Sequence, residues 1–161
     1  MEKIEKIVKI LTERNMTIST MESCTGGGLA NKITNIPGAS EILKFSAVTY
    51  SNEFKIKMGV PKEVIDKYSV YSQETAVEMS KKISEFTNSD YGIGITGKLN
   101  RADNNNLYGD DNLVFYSIYK KDNNKNYNYS LRVSKSSREK SKEEIIEQII
   151  NNFYELLKQG D

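Results

Sequence analysis

The chain has 161 residues, 28% of them charged and 37% hydrophobic, with a formal net charge of +1. That is one soluble domain with enough apolar material for a core and no electrostatic signature for a nucleic-acid or membrane partner. One cysteine excludes an internal disulfide and suits a cytoplasmic setting, while the absence of histidine excludes Ser-His-Asp and Cys-His catalysis and leaves a zinc site without imidazole.

Ile4, Ile7, Val8 and Leu11 recur at helical spacing and predict an amphipathic helix over 2–14. The alternation in TISTME predicts a strand over 17–22. Thr25 and three glycines then open a second helix carried by Leu29, Ala30 and Ile33, and NIPG makes a turn. FSAVTYS, 45–51, is small or apolar and predicts a buried strand, followed by a short helical piece from Asn52 to Met58. Pro61 at a first-turn position opens another short helix. Ser72 can cap a longer one from Gln73 to Phe86, with Ala76, Met79, Ile83 and Phe86 on its inner face.

YGIGIT, 91–96, is a short strand, and the polar stretch NRADNNNLYGDDN reads as a loop. LVFYSIY and YNYSLRV, joined across KKDNNKN, predict a hairpin. Ser141 and Glu144 stand at capping-box spacing before a last helix with Ile145, Ile149, Phe153 and Leu156 buried. Helices alternating with strands up to a closing hairpin imply an α/β sandwich around a mixed sheet. Ligands gather at the carboxyl ends of strands in such folds. Three polar clusters fall there: after residue 22, after residue 50, and at Thr96-Gly97.

The first cluster is ESCTGGG, from Glu22 to Gly28. A glycine-rich turn bares backbone N–H groups for an oxyanion or a phosphate; equally, Thr25 can cap the helix while the glycines permit close packing. It lacks the G-K-[ST] ending of a P-loop. In the second cluster, Tyr50 and Lys55 can reach one crevice, and a lysine withdrawn from water can serve as base for a serine. Lys57 offers a rival amine, and a surface role for either lysine is open. Thr96 either orients a substrate or ends a turn. Arg138, in SKSSREK, either meets an anion with its guanidinium fork or lies at the surface near a helix start. Cys24 shares the glycine-rich turn, but without histidine Ser23 is the better nucleophile.

Taken together, TISTMESCTGGGLANKITNIPGAS, VTYSNEFKIKMGVP, VYSQETAVEMS and GIGITG resemble the C-terminal domain family of the competence/damage-inducible protein CinA. Its active members are nicotinamide-nucleotide amidohydrolases. The resemblance runs through most of the chain and implies a single, stand-alone domain over 1–161 with a three-layer α/β/α structure. It implies hydrolysis of the carboxamide of nicotinamide mononucleotide to nicotinate mononucleotide and ammonia, as in pyridine-nucleotide salvage, without metal or cofactor. Ser23 would be the nucleophile, Lys55 its base or charged helper, and Tyr50 a neighbour. Around the substrate the resemblance places Glu22, Thr25, Gly26 and Gly27 from the first cluster, Ser51 and Asn52 from the second, and Thr96, Gly97 and Arg138. Backbone N–H groups near Gly26 and Gly27 would steady the oxyanion, and a homodimer is expected. The chain departs from the family in one place above all. Active members continue Thr-Gly with Ile-Ala-Gly-Pro and a glycine-rich loop, whereas here the run is TGKLNRADNNNLYGDDN, and Ser137 stands where aspartate is common. The loop from Lys98 to Asn112 therefore separates the amidase from its alternative, a diverged nucleotide-binding module without turnover.

Overall fold

The apolar stripe of the first 14 residues has to be covered, and the last helix covers it. In the computed structural model, which describes residues 1–99, 111–134 and 137–159, α1 (Lys3–Arg14) buries Ile4, Ile7, Val8 and Leu11. Helix α6 (Arg138–Lys158) buries Ile145, Ile149, Ile150, Phe153 and Leu157. The two pack in one cluster with Leu29 and Ile33 of α2 (Gly28–Thr34). These three helices cover one face of a five-stranded sheet.

The strands are β1 (Ile18–Glu22), β2 (Leu43–Val48), β3 (Tyr91–Gly97), β4 (Leu113–Lys120) and β5 (Lys125–Arg132), in the order β2-β1-β3-β4-β5. Strand β1 lies parallel to both β2 and β3, while β3–β4 and β4–β5 are antiparallel. The opposite face carries α5 (Gln73–Thr87) and α4 (Lys62–Tyr68), with Met21, Val60, Ile65, Val70, Met79 and Ile83 forming a second, smaller core. The sheet is mixed, with helices on both sides, so the expected α/β/α sandwich is present. Among the described residues no helix is long and apolar enough to cross a membrane.

The second core is small because α5 sits unusually close to the sheet. A Cβ on Gly92 or Gly94 would collide with the main-chain carbonyl oxygens of Ser80 and Ala76 on that helix. Glycine in β3 thus sets the helix-to-sheet distance, with Ala76, Ser80 and Ser84 of α5 short and Met79 brought by its Cβ against Gly94.

Five expectations need correction. The second strand is Leu43–Val48, not 45–51, and it is an edge: Lys44, Phe45 and Val48 are exposed. Its neighbour across the solvent is Phe86, expected inside yet 65% exposed, whose ring lies 5.5 Å from that of Phe45. Pro61 is the N-cap of α4, in extended backbone, not a first-turn residue. The last helix starts one turn earlier than Ser141: Ser137 accepts the Lys140 N–H, and Ser141 is buried inside the first turns. Glu144 turns instead to Ser134, whose N–H and hydroxyl both donate to it. The hairpin turn is tighter than drawn from sequence, since Lys120 pairs with Lys125. The polar loop expected between Lys98 and Asn112 falls, at residues 100–110, outside the described residues.

Candidate functional site

The end of β1 is held by β3 one residue beyond the strand: the Ser23 N–H donates to the Ile95 carbonyl at 3.0 Å. The chain then reverses. Gly26 and Gly27 adopt φ of 60° and 91°, a region costly for any side chain with a Cβ, and the Gly26 N–H closes the turn on the Ser23 carbonyl at 3.0 Å. Ser23 itself is left 7% exposed at the lip of the sheet.

Glu22, one residue earlier, points to the other face and is fully buried. Its carboxylate accepts from the Thr25 hydroxyl at 2.6 Å, the Thr20 hydroxyl at 3.1 Å, and the N–H groups of Leu29 and Ala30 at 3.0 and 2.9 Å. Glu22 is therefore the cap of α2. Thr25, read from sequence as a cap, instead donates to the residue that does the capping. Four donors satisfy both oxygens of the buried carboxyl group without a cation.

The end of β2 brings the amine. Past Val48 the chain bends, the Thr49 N–H donates to the Glu22 carbonyl at 2.9 Å, and Ser51 caps α3 (Asn52–Lys57) by accepting the Phe54 N–H at 3.2 Å. One turn into that helix, Lys55 is 2% exposed. Its Nζ lies 3.0 Å from Ser23 Oγ, 2.8 Å from the Thr49 carbonyl and 3.5 Å from the Tyr50 carbonyl. Lys57 is the surface lysine of the pair, bound at 3.1 Å to Glu53. So the structure joins Ser23 to Lys55 and sets Lys57 aside.

The other expected residues are near, each with its own partner. Arg138, the first residue of α6, donates to the Leu99 carbonyl and to the Tyr50 hydroxyl, both at 3.0 Å. Tyr50 thus turns its main chain to Lys55 and its exposed ring to Arg138. The Thr96 hydroxyl donates to the Val70 carbonyl at 2.7 Å and is buried, while Gly97 pairs with Val114 with no room for a Cβ. Asn52 begins α3. In the β1–β3 ladder Glu22 faces Ile95, so Ser23 comes beside Thr96 on the α5 side of the sheet.

Two residues at this rim carried no sequence signal of their own. Lys98, two positions after Thr96, is 8% exposed, and Lys142 of α6 reaches to within 3.5 Å of where a Gly26 Cβ would lie. Their place is a product of strand register and of α6 starting early, neither of which is written in a short motif.

Cys24 is buried next to this pair. Burial pushes its thiol up to about 12, from 9.0; the nearby Lys55 charge opposes the rise without cancelling it, and the Glu22 carboxylate adds to it. The folded value lies above the unfolded one, so the neutral thiol contributes stability in full below pH 9 and loses it as pH climbs from 9 toward 12. At pH 8 the group is a thiol, a poor nucleophile. Iodoacetamide at that pH should leave Cys24 unmodified in folded protein by mass spectrometry, and Cys24→Ala should keep activity within a few-fold of the parent; alkylation that removes activity would reverse the assignment.

Comparison with known proteins places the chain in one family. Residues 1–159 match the CinA C-terminal domain family. A putative competence-damage inducible protein of Clostridium botulinum (strain Langeland) is 48% identical over 94 residues, 58% of this chain and 23% of the relative. One of the same description from Caldanaerobacter subterraneus is 48% identical over 98 residues, 60% of this chain and 24% of that one. The matched segment thus spans about a quarter of these relatives' length. The crystal structure of competence damage-inducible protein A from Klebsiella pneumoniae superposes with a TM-score of 0.90 at 19% identity, covering 99% of this chain and 97% of that one. That of the competence/damage inducible protein CihA from Agrobacterium tumefaciens gives 0.85 at 23% identity, covering 97% and 96%. At such identities the likeness is one of fold. With the family match running the length of the chain, the protein belongs to the CinA C-terminal domain family.

Proposed function

We propose that the domain hydrolyses the carboxamide of nicotinamide mononucleotide by serine acyl transfer, with Lys55 as the base. The observation that carries this reading is the buried Ser23–Lys55 contact at 3.0 Å. Around Lys55 Nζ stand two carbonyls, which only accept, and one hydroxyl, which can donate. An ammonium can donate to all three; once it gives up a proton, two N–H groups stay with the carbonyls and the lone pair turns to the serine O–H, which is the state the proposed base needs. The resemblance supports this choice of substrate, since active members of the family are nicotinamide-nucleotide amidohydrolases.

In the proposed reaction Ser23 Oγ attacks the amide carbon as its proton passes to Lys55 Nζ. The tetrahedral intermediate collapses, the C–N bond breaks, and the proton on Nζ leaves with the nitrogen as ammonia. Water then attacks the acyl ester, its proton going to Nζ, and nicotinate mononucleotide departs with the Ser23 hydroxyl restored. The oxyanion needs donors that are not already bound. Gly26, expected for this, has its N–H committed to the Ser23 carbonyl. Among the described residues no acceptor takes the N–H groups of Thr25 or Gly27, which leaves them as the proposed donors, while the Cys24 N–H is directed at its own sulfur.

Purified protein incubated with nicotinamide mononucleotide should release one ammonia per nicotinate mononucleotide formed, followed by coupled ammonia detection and chromatography. Folded protein that releases none overturns the proposal.

A further inference from the structure

Lys98 is a buried amine that the chemistry above does not use. It is 8% exposed, and its Nζ stands 5.8 Å from the centre of the Tyr71 ring. Among the described residues it forms no ion pair and no side-chain hydrogen bond. The other buried amines are provided for: Lys55 by Ser23 and two carbonyls, and Lys120 by Asp122 at 3.9 Å. A buried ammonium held only against an aromatic ring is costly to the fold, and a cation in that state is a place for an anion that arrives from outside.

Its position says which anion. The β3 backbone continues past Gly97, because the Asn112 N–H donates to the Lys98 carbonyl just beyond the Gly97–Val114 pair. Side chains alternate along that extended run, so Lys98 shares the α5 face with Thr96, and Thr96 lies beside Ser23. Its Tyr71 neighbour is fixed there by the adjoining Val70 carbonyl, which accepts the Thr96 hydroxyl at 2.7 Å. Strand rise and spacing put the Cα atoms of Lys98 and Ser23 about 8 Å apart, further out along the strand direction. Lys98 therefore stands two residues beyond the reacting pair along the strand direction and on the same face of the sheet. Arg138 stands at the same rim, but its guanidinium is already engaged by Leu99 and Tyr50.

We infer that Lys98 is a specificity-determining residue of this site, binding the phosphate of the substrate and so selecting the mononucleotide over the nucleoside. The substrate's identity rests on the amidase reading; the phosphate site does not.

Two arms test it. Inorganic phosphate, titrated at constant ionic strength with chloride as the balancing salt, should raise the melting temperature of the parent protein and of Lys98→Arg. In Lys98→Met its apparent Kd should weaken about tenfold or more, as expected for losing a charged donor. Without ligand, Lys98→Met should melt no lower than the parent. If Lys98→Met nevertheless fails to fold, the arginine variant decides alone, with parent-like phosphate stabilisation expected. No phosphate stabilisation in the parent, or equal stabilisation in parent and methionine variant, overturns the inference. In the second arm, Lys98→Met should raise KM about tenfold for nicotinamide mononucleotide, with kcat near the parent value and the KM for nicotinamide riboside unchanged. Equal effects on both compounds overturn it. If the parent hydrolyses neither compound, the amidase reading falls, while the phosphate titration still decides the role of Lys98.

Discussion

Ser23→Ala is expected to abolish ammonia release from nicotinamide mononucleotide while leaving the protein folded. The hydroxyl's partner is Lys55 Nζ at 3.0 Å, and the main-chain bonds that shape the turn, Ser23 N–H to Ile95 and Gly26 N–H to Ser23, do not involve it. Loss of the side-chain oxygen therefore removes the atom that would become acylated and little else. Removing the nucleophile of a serine hydrolase costs at least about a thousandfold in kcat, because the remaining groups cannot substitute a covalent step. Lys55 keeps both carbonyl acceptors, so the melting temperature should move by a few degrees at most. A second readout isolates the chemistry: in the parent, rapid quench with substrate should reveal a mass increase on the peptide bearing Ser23, absent from the alanine variant. Activity within tenfold of the parent in Ser23→Ala would end the acyl-enzyme scheme.

How much of this was readable in advance follows from what each signal encodes. The helices with complete apolar stripes, α1 and α6, were legible because burial of one face imposes a period, and that period survives in Ile4, Ile7 and Leu11 or Ile145, Ile149 and Phe153. The apolar run at β2 was legible as a strand but not as an edge, since exposure of Phe45 and Val48 is set by which strand stands alongside, and nothing in six residues states that. Ser141 satisfied the capping-box spacing and lost to Ser137 because both positions carry a serine; the choice was made by Glu144 finding Ser134. Ser23 and Lys55, 32 residues apart, were legible as a pair only as two strand-end clusters and through family resemblance. The double role of Glu22, and the burial of Lys98, depend on register between β1, β3 and α2. Register is a pairwise quantity, and a single sequence does not print it.

Lys55→Met carries the other large effect, and it separates catalysis from architecture. Methionine fills a similar buried volume without the amine, so the variant should melt within a few degrees of the parent: it leaves the Thr49 and Tyr50 carbonyls less satisfied, but it also removes the need to desolvate an ionisable group. Turnover should nevertheless fall about a thousandfold or more, since a serine hydroxyl without a base at hydrogen-bond distance is a weak nucleophile. Lys55→Arg should be equally inactive for a different reason. A guanidinium is never neutral near pH 7 and cannot take the serine proton. It is also wider than the slot between Ser23 and the two carbonyls, so this variant should melt lower than Lys55→Met. The contrast matters because a purely electrostatic helper would be partly replaced by arginine, and a base would not. Lys55→Ala opens the slot, and a small primary amine such as ethylamine, added to that variant, should restore part of the rate, the more so at higher pH where the free amine is more abundant. Recovery by arginine, or a parent-like rate in Lys55→Met, would remove the amine from the reaction and leave Ser23 without an activating group among the described residues within 3.0 Å.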